Sequence, residues 1–246
     1  MKKLSLCLTV FACFLTFNAW AYNPDDFAAL QSSGSCPGGD LSGADLSGLE
    51  LPGANLAKAD LTGARLNGAH LSGANLQGSS LRRATLENAD LSEANLSGCQ
   101  AGYADFGLTN LTDANLSGGY FYRSNFRAAQ MDRSNFYNAN LQEATLDKTS
   151  ARAADFTQAN LAYAWLFKAR LDQALLRGAN LYYARGEYLS AVGANFSSAS
   201  LSHGNFPYSD LSKAQLNLAT LTDANFTGAT IKDTAWGTAN LNSATF

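Results

Sequence analysis

The sequence carries few of the residues from which catalytic or metal-binding sites are built. His70 and His203 are its two histidines, and no residue spacing typical of a metal site, a nucleophile or a phosphate-binding loop occurs. The many aspartates and asparagines suit solvent exposure or turn hydrogen bonding better than paired acid–base catalysis. We therefore predict a protein that is not an enzyme, with no catalytic residue, no metal site and no cofactor.

Residues suited to recognition are concentrated in the middle of the chain. Residues 101–190 contain eight of the ten tyrosines, together with Trp165 and Phe167, and nine basic against eight acidic residues. Tyr, Trp and Arg are enriched where proteins contact partners. This middle segment is the part of the chain that we expect to bind.

The first 21 residues have the pattern of a secretory signal peptide. Lys2 and Lys3 precede a largely apolar stretch, residues 4–17, which is shorter than the ~20 residues that a transmembrane helix needs. Ala19-Trp20-Ala21 supplies small residues for signal peptidase, so we predict cleavage after Ala21, a periplasmic or secreted protein, and no transmembrane segment afterwards. A buried N-terminal helix is the alternative. The mature chain would carry 15 basic and 20 acidic residues, a net charge of −5 that opposes nucleic-acid binding.

A period of five residues runs through the rest of the chain. Starting at Leu41, 42 consecutive anchor positions include 26 Leu and nine Phe, and the last is Phe246. Two residues before the anchor, 29 of the 42 positions are Ala. Neither a helix nor a continuing strand would place side chains five apart on one face. The five-residue unit must therefore be a structural element of its own.

The types of residue within the unit indicate how it folds. The anchor and the small residue two before it lie on one side of a short extended segment, so both can point inward. The residue between them, usually Asp or Asn, points outward, and the remaining pair, often Ser-Gly or Thr-Gly, is suited to a turn. Repetition of segment and turn winds the chain into stacked coils around a core of Leu, Phe and Ala.

These units, such as Ala59-Asp60-Leu61-Thr62-Gly63 and Ala74-Asn75-Leu76-Gln77-Gly78, resemble the pentapeptide-repeat family over residues 39–246. The resemblance implies an all-β protein: a right-handed quadrilateral β-helix, or β-solenoid of pentapeptide repeats, with four units per coil and about ten coils. We expect residues 22–38 to form a short N-terminal helical cap. The departures from the anchor pattern at Ala101, Ala151, Gly186 and Ala191 are candidate bulges or loops, above all near residues 186–189.

A coil of 20 residues would bring a set of Arg and Tyr side chains into one surface column. The column would contain Arg83, Tyr103, Arg123, Glu143, Tyr163 and Tyr183. With Trp165 nearby, we predict Arg83, Tyr103, Arg123, Tyr163, Trp165 and Tyr183 as the candidate interaction surface. The alternative is that stacked aromatic rings and alternating charges only stabilise neighbouring coils.

The two cysteines of the predicted mature chain, Cys36 and Cys99, lie about three coils apart. At the spacing of β-strands this separation is roughly 15 Å, which is too far for a disulfide. We therefore expect both cysteines to be unpaired, with Cys99 in the core. Because Phe246 is itself an anchor, the last coil would leave backbone groups free, and two copies could pair there.

The function expected from these features is a non-enzymatic scaffold that binds a protein or a glycan of the cell envelope or outside the cell. A purely structural spacer without a specific partner is the alternative. The family also includes DNA mimics that protect gyrase, and these are cytoplasmic and strongly acidic along one face. This chain carries a predicted signal peptide and its middle segment is slightly basic. A role as a DNA-mimic inhibitor or protector of topoisomerase is therefore the weaker interpretation.

Overall fold

A computed structural model describes residues 22–246. The predicted signal peptide, residues 1–21, lies outside the described residues. The described chain consists of one short helix followed by coils that stack on one another.

The helix α1 spans Pro24–Ser33. Asn23 caps it, because its side chain accepts a hydrogen bond from the Asp25 N–H at 3.0 Å, and Gly34 ends it in the left-handed conformation at φ 67°. Leu30 is completely buried against the first coil, and Asp26 Oδ2 accepts from the Asp40 N–H at 2.8 Å. The helix is therefore fixed to the coils by apolar packing and by a side-chain hydrogen bond.

The coils are joined by single-residue parallel bridges, each of which pairs a residue with the one 20 positions later. Four ladders of such bridges begin at Ser35, Asp40, Asp45 and Glu50 and form the four faces of the rod. On each face an anchor N–H donates to a carbonyl of the next coil, as Leu41 does to Asp60 at 2.8 Å. The interval of 20 shows that four five-residue units make one turn of the coil.

The corners between the faces are tight turns in which the residue two after the anchor has a positive φ. Gly43, for example, has φ 65°, and the Ala44 N–H closes the turn by donating to the Leu41 carbonyl at 3.0 Å. The outward Asp or Asn before the anchor supports the turn, as when Asp45 Oδ1 accepts from the Ser47 N–H at 3.1 Å. This hydrogen bond is the physical reason for Asp or Asn at that position.

The core is a continuous column of anchors and small residues. Where one position carries an unusually small residue, a larger side chain nearby fills the space. Phe206 lies directly over Gly186, since a Cβ added to Gly186 would stand 2.6 Å from its ring, and Leu189 is buried beside it. Phe121 follows Ala101 by one coil and packs against Gly119 in the same way.

No bulge or loop forms at the four candidate positions, Ala101, Ala151, Gly186 and Ala191. The bridges at the adjoining positions Gln100, Ser150, Arg185 and Ser190 keep the interval of 20. Near Gly186 the physical reason is that a larger neighbouring side chain fills the space that the small anchor leaves, so the backbone has no need to bend outward.

Cys36 and Cys99 are both free thiols, and both are buried. Complete burial of Cys99 raises the pKa of its thiol to about 12, so this thiol stays protonated at neutral pH. Cys99 is therefore a small core residue.

Candidate functional site

The structure places the residues of the predicted column along one corner of the rod, where several neighbours are in contact. We call this corner, which contains residues 83, 103, 123, 143, 163, 183, 203 and 223, the aromatic corner. Each of these residues is the second of its turn and has a positive φ, for example 60° at Tyr163 and 55° at Tyr183. That backbone conformation favours glycine, yet large side chains occupy it here.

Three rings stack in succession along the aromatic corner. The rings of Tyr163 and Tyr183 are nearly parallel with centroids 5.4 Å apart, and His203 stacks on Tyr183 at 4.9 Å. Tyr182, from the same turn, contacts Tyr183 edge-on at 4.6 Å. His203 Nδ1 lies 3.6 Å from Asp223 Oδ2, so the contacts continue to the next coil.

A charged cluster precedes this stack. Arg123 Nε donates to Glu143 Oε2 at 2.6 Å, and the Tyr122 hydroxyl donates to Glu143 Oε1 at 2.9 Å. The Arg123 guanidinium and then the Tyr122 hydroxyl lower the pKa of the Glu143 carboxyl, while the hydrogen bond to Glu143 raises the pKa of Tyr122. Glu143 is therefore a carboxylate at neutral pH, with Arg123 as its counter-ion.

A surface recess opens between the aromatic corner and the face that follows it. It has a volume of about 400 Å³ and is lined by Glu143, Tyr163, Trp165, Tyr183 and Arg185. Tyr163, Trp165 and Tyr183 remain 45%, 46% and 42% exposed. The Arg185 guanidinium lies 4.6 Å from the centroid of the Trp165 ring, and this cation–π contact holds the indole against the face.

A second aromatic group lies at the far edge of the same face. Lys168 Nζ is 5.1 Å from the centroid of Phe167 and 5.7 Å from that of Tyr188, and Tyr188 stacks on Tyr208 at 5.3 Å. Tyr163, Trp165 and Phe167 alternate with inward residues, so they form one outward row across the face. We call the face with its two edges, residues 163–168, 183–188 and 203–208, the aromatic face.

The structure brings together three of the six predicted surface residues and leaves the others further along the corner. Tyr163, Trp165 and Tyr183 line the recess, and Arg123 reaches it through Glu143. Tyr103, three coils before Tyr163, contacts Tyr122 edge-on at 5.6 Å, and Arg83 lies one coil earlier still.

The sequence prediction missed three residues of this region: Arg185, His203 and Tyr188. The same interval of 20, applied to the register of Trp165, would have found Arg185. His203 stays in the column because no loop forms at residues 186–189 and the interval of 20 is kept there.

Within residues 22–246, no group of three or more His, Cys, Asp or Glu residues is arranged to hold a metal ion. In the same part of the chain, no helix has the length and apolarity required to cross a membrane. The recess places aromatic surface beside a carboxylate and a guanidinium.

Comparison with known proteins gives a family match over most of the coils. The family model described as pentapeptide repeats matches in eight copies, over residues 40–78, 69–106, 89–127, 109–147, 134–173, 154–185 and 194–233. No curated protein sequence matches the chain.

Solved structures similar to this chain include HetL, a pentapeptide repeat protein involved in heterocyst differentiation regulation from the cyanobacterium Nostoc sp. strain PCC 7120. It is 31% identical, with a TM-score of 0.79, and the match covers 82% of this chain and 90% of HetL. QnrB1, a plasmid-mediated fluoroquinolone resistance protein, is 20% identical with a TM-score of 0.57, over 71% of this chain and 91% of QnrB1. The second similarity concerns the fold alone.

Proposed function

The chain belongs to the pentapeptide-repeat family, and we propose that it is a non-enzymatic, exported scaffold whose aromatic face binds a partner in the cell envelope or outside the cell. Its fold is the right-handed quadrilateral β-helix, and proteins of this family are generally non-enzymatic. The observation that carries the proposal is the recess with its three half-exposed aromatic side chains.

The backbone conformation of the tyrosines supports a role in binding. A non-glycine residue in the left-handed region costs about 1–2 kcal/mol, and an aromatic pair returns about 0.5–1.5 kcal/mol beyond its buried area. Tyr163 and Tyr183 therefore add little net stability compared with the glycine found at many equivalent corners, such as Gly43. A surface that contacts a partner gives these side chains a use that the fold itself does not require.

Export is supported by the sequence pattern of residues 1–21. Two lysines, an apolar stretch and the small residues Ala19 and Ala21 follow the order that signal peptidase substrates show. Mass spectrometry of the protein purified from a periplasmic or culture fraction should give the mass of residues 22–246. A full-length mass in that fraction would contradict cleavage at Ala21.

The binding role is tested by returning the two tyrosines to the residue that the turn prefers. Tyr163→Gly/Tyr183→Gly should lose capture of a cross-linked partner from the native envelope while the protein stays folded. Relief of two left-handed residues, about 1–2 kcal/mol each, offsets much of the loss of their aromatic contacts. Leu218→Gly is the matched control, since Leu218 is 61% exposed at φ 61° on another corner and should not affect capture. Equal capture by both variants would contradict the proposal.

A structural spacer without a partner is the second candidate, and the contacts between coils favour it. The Tyr163–Tyr183–His203 stack and the Arg123–Glu143 pair each join adjacent coils. If these contacts serve stability alone, the double glycine variant should melt at a clearly lower temperature and the parent should capture nothing. A topoisomerase-directed role is not proposed, because the similarity to QnrB1 concerns the fold alone and the middle of the chain is slightly basic.

A further inference from the structure

We propose that the recess binds an acidic glycan, with Arg185 pairing with a carboxylate of the sugar chain. The inference rests on the proposed binding function and names the class of ligand. It starts from the charges of the recess. Glu143 has Arg123 as its counter-ion, whereas the Arg185 guanidinium makes no ion pair or side-chain hydrogen bond within residues 22–246.

The environment of Arg185 prepares its guanidinium for a carboxylate. The Arg185 guanidinium is held at the recess by its cation–π contact with Trp165, 4.6 Å from Cζ to the ring centroid. A planar guanidinium binds a carboxylate through two parallel hydrogen bonds. Of the residues that line the recess, Glu143 is the one carboxylate, and it already pairs with Arg123. The uncompensated charge in the recess is therefore positive.

The size of the aromatic face favours a narrow, elongated ligand over a folded protein. With coils about 4.8 Å apart, its three coils and the adjoining Glu143 coil extend roughly 19 Å along the rod, and the extended part of one coil is about 10 Å wide. The resulting area of roughly 200 Å² is well below the ~800 Å² that each partner contributes to a typical stable protein interface.

The backbone of the face argues against an extended peptide as the ligand. Peptides that bind to β-structure use free backbone groups at an edge. Here the Trp165 N–H donates to the Ala144 carbonyl and the Arg185 N–H to the Ala164 carbonyl, each at 2.9 Å, so these groups are already paired between coils. A sugar chain needs no such groups, because its ring has an apolar C–H face for the aromatic walls and hydroxyls for the polar side chains.

The test is calorimetric titration of the mature chain with a galacturonate tetramer and with its neutral methyl ester. The parent should bind the acid, and the ester or the variant Arg185→Gln should each weaken binding by about tenfold or more, as expected for loss of a charge-assisted hydrogen bond. Arg177→Gln is the matched control, because it removes the same charge at an exposed position on another corner, and binding should stay within about twofold of the parent.

Three results would overturn the inference: no binding of the tetramer, equal binding of its ester, or equal weakening by Arg177→Gln and Arg185→Gln. Equal binding of the ester that is lost in Tyr163→Gly/Tyr183→Gly would leave the proposed binding function standing with a neutral glycan as ligand. Capture of a protein in place of sugar would leave that function standing with a different partner. Absence of both capture and sugar binding would remove both proposals.

Discussion

At the scale of single residues, the position two after the anchor decides what the surface of each corner can do. The backbone there has a positive φ for glycine and for large residues alike, as Gly43 and Tyr163 show with φ 65° and 60°. Glycine satisfies the turn, and any larger side chain is carried outward at some conformational cost. Corner side chains can therefore vary without changing the fold, and the choice of Tyr, Arg or Glu is free to serve recognition.

The ion pair of Glu143 leads to a prediction about pH. Because Arg123 lowers the pKa of the Glu143 carboxyl, the folded state gains stability from this group above the ordinary pKa of glutamate, about 4.3. That gain is lost as the pH falls through the lowered folded pKa. Glu143→Gln should therefore be less stable than the parent at pH 7, and the difference should close under more acidic conditions.

The measurement is urea unfolding across a pH series, with Glu93→Gln as control. Glu93 is exposed and has no ion pair among the described residues, so its removal should leave the difference between variant and parent near zero at every pH. A difference for Glu143→Gln that persists unchanged at low pH would show that the carboxylate does not act through its charge.

At the scale of the five-residue unit, the large and small residues of the core fit together within the frame of the hydrogen-bonded coils. A Cβ on Gly119 would lie 2.5 Å from Cε2 of Phe121, so this pair fits only because the position two before the anchor is glycine. At the equivalent positions of the following coil, a slightly larger residue, Ala139, is combined with a smaller anchor, Leu141, and both are buried. Each unit is therefore matched in volume, and units of different size can follow one another.

This volume matching predicts a coupled pair of substitutions. Gly119→Ala should destabilise the fold by about 1–3 kcal/mol, since the added methyl group overpacks a closed core. Adding Phe121→Leu should recover much of that loss, because the pair then has the composition of Ala139 and Leu141. The free energies of unfolding of both single variants and the double variant measure the coupling.

Ser79→Ala is the control for the same core column. Ser79 is fully buried and its hydroxyl has no hydrogen-bond partner, so the substitution should leave stability unchanged or raise it. Strictly additive effects of Gly119→Ala and Phe121→Leu would contradict the proposed fit.

Much of the fold could be predicted from the sequence because every five-residue unit repeats the same pattern of residue types. The inward small residue and anchor, the outward Asp or Asn, and the turn pair each have one physical role, and the structure places them accordingly in units such as residues 59–63. The fit at Gly186 could not be predicted, since it depends on Phe206, which lies 20 residues away and one coil along. In the sequence, the small anchor Gly186 interrupts the pattern and suggests a loop. In the structure, the side chain of Phe206 in the next coil fills the space that Gly186 leaves.

The candidate site could be predicted only in part for a related reason. The interval of 20 aligned Tyr163 with Tyr183, but the importance of Arg185 depends on its contact with Trp165 and on the lack of a counter-ion within the described residues. Both features follow from side-chain positions on neighbouring coils. Periodicity gives the register of a residue but not the partner that its side chain meets.

At the scale of the whole molecule, the rod is apolar at its C-terminal coil and polar along most of its sides. In the coil of residues 227–246, Ile231, Leu241 and Phe246 are 38%, 38% and 47% exposed, whereas equivalent anchors in the preceding coil, such as Leu221, are buried. We propose that two copies join at this coil. Sedimentation across a dilution series should then show a dimer that dissociates on dilution, and Phe246→Asp should shift it to monomer. A parent that stays monomeric at every concentration would contradict pairing.

The central claim, that the aromatic face is a binding surface, is tested most directly by photo-cross-linking from within the recess. A benzophenone amino acid placed at Tyr163 should yield one defined cross-linked species in the native envelope. The same probe at Tyr137, which is 46% exposed on another corner, should yield none. The same cross-linking pattern from both positions, or none from Tyr163, would contradict the claim and leave the rod as a structural spacer.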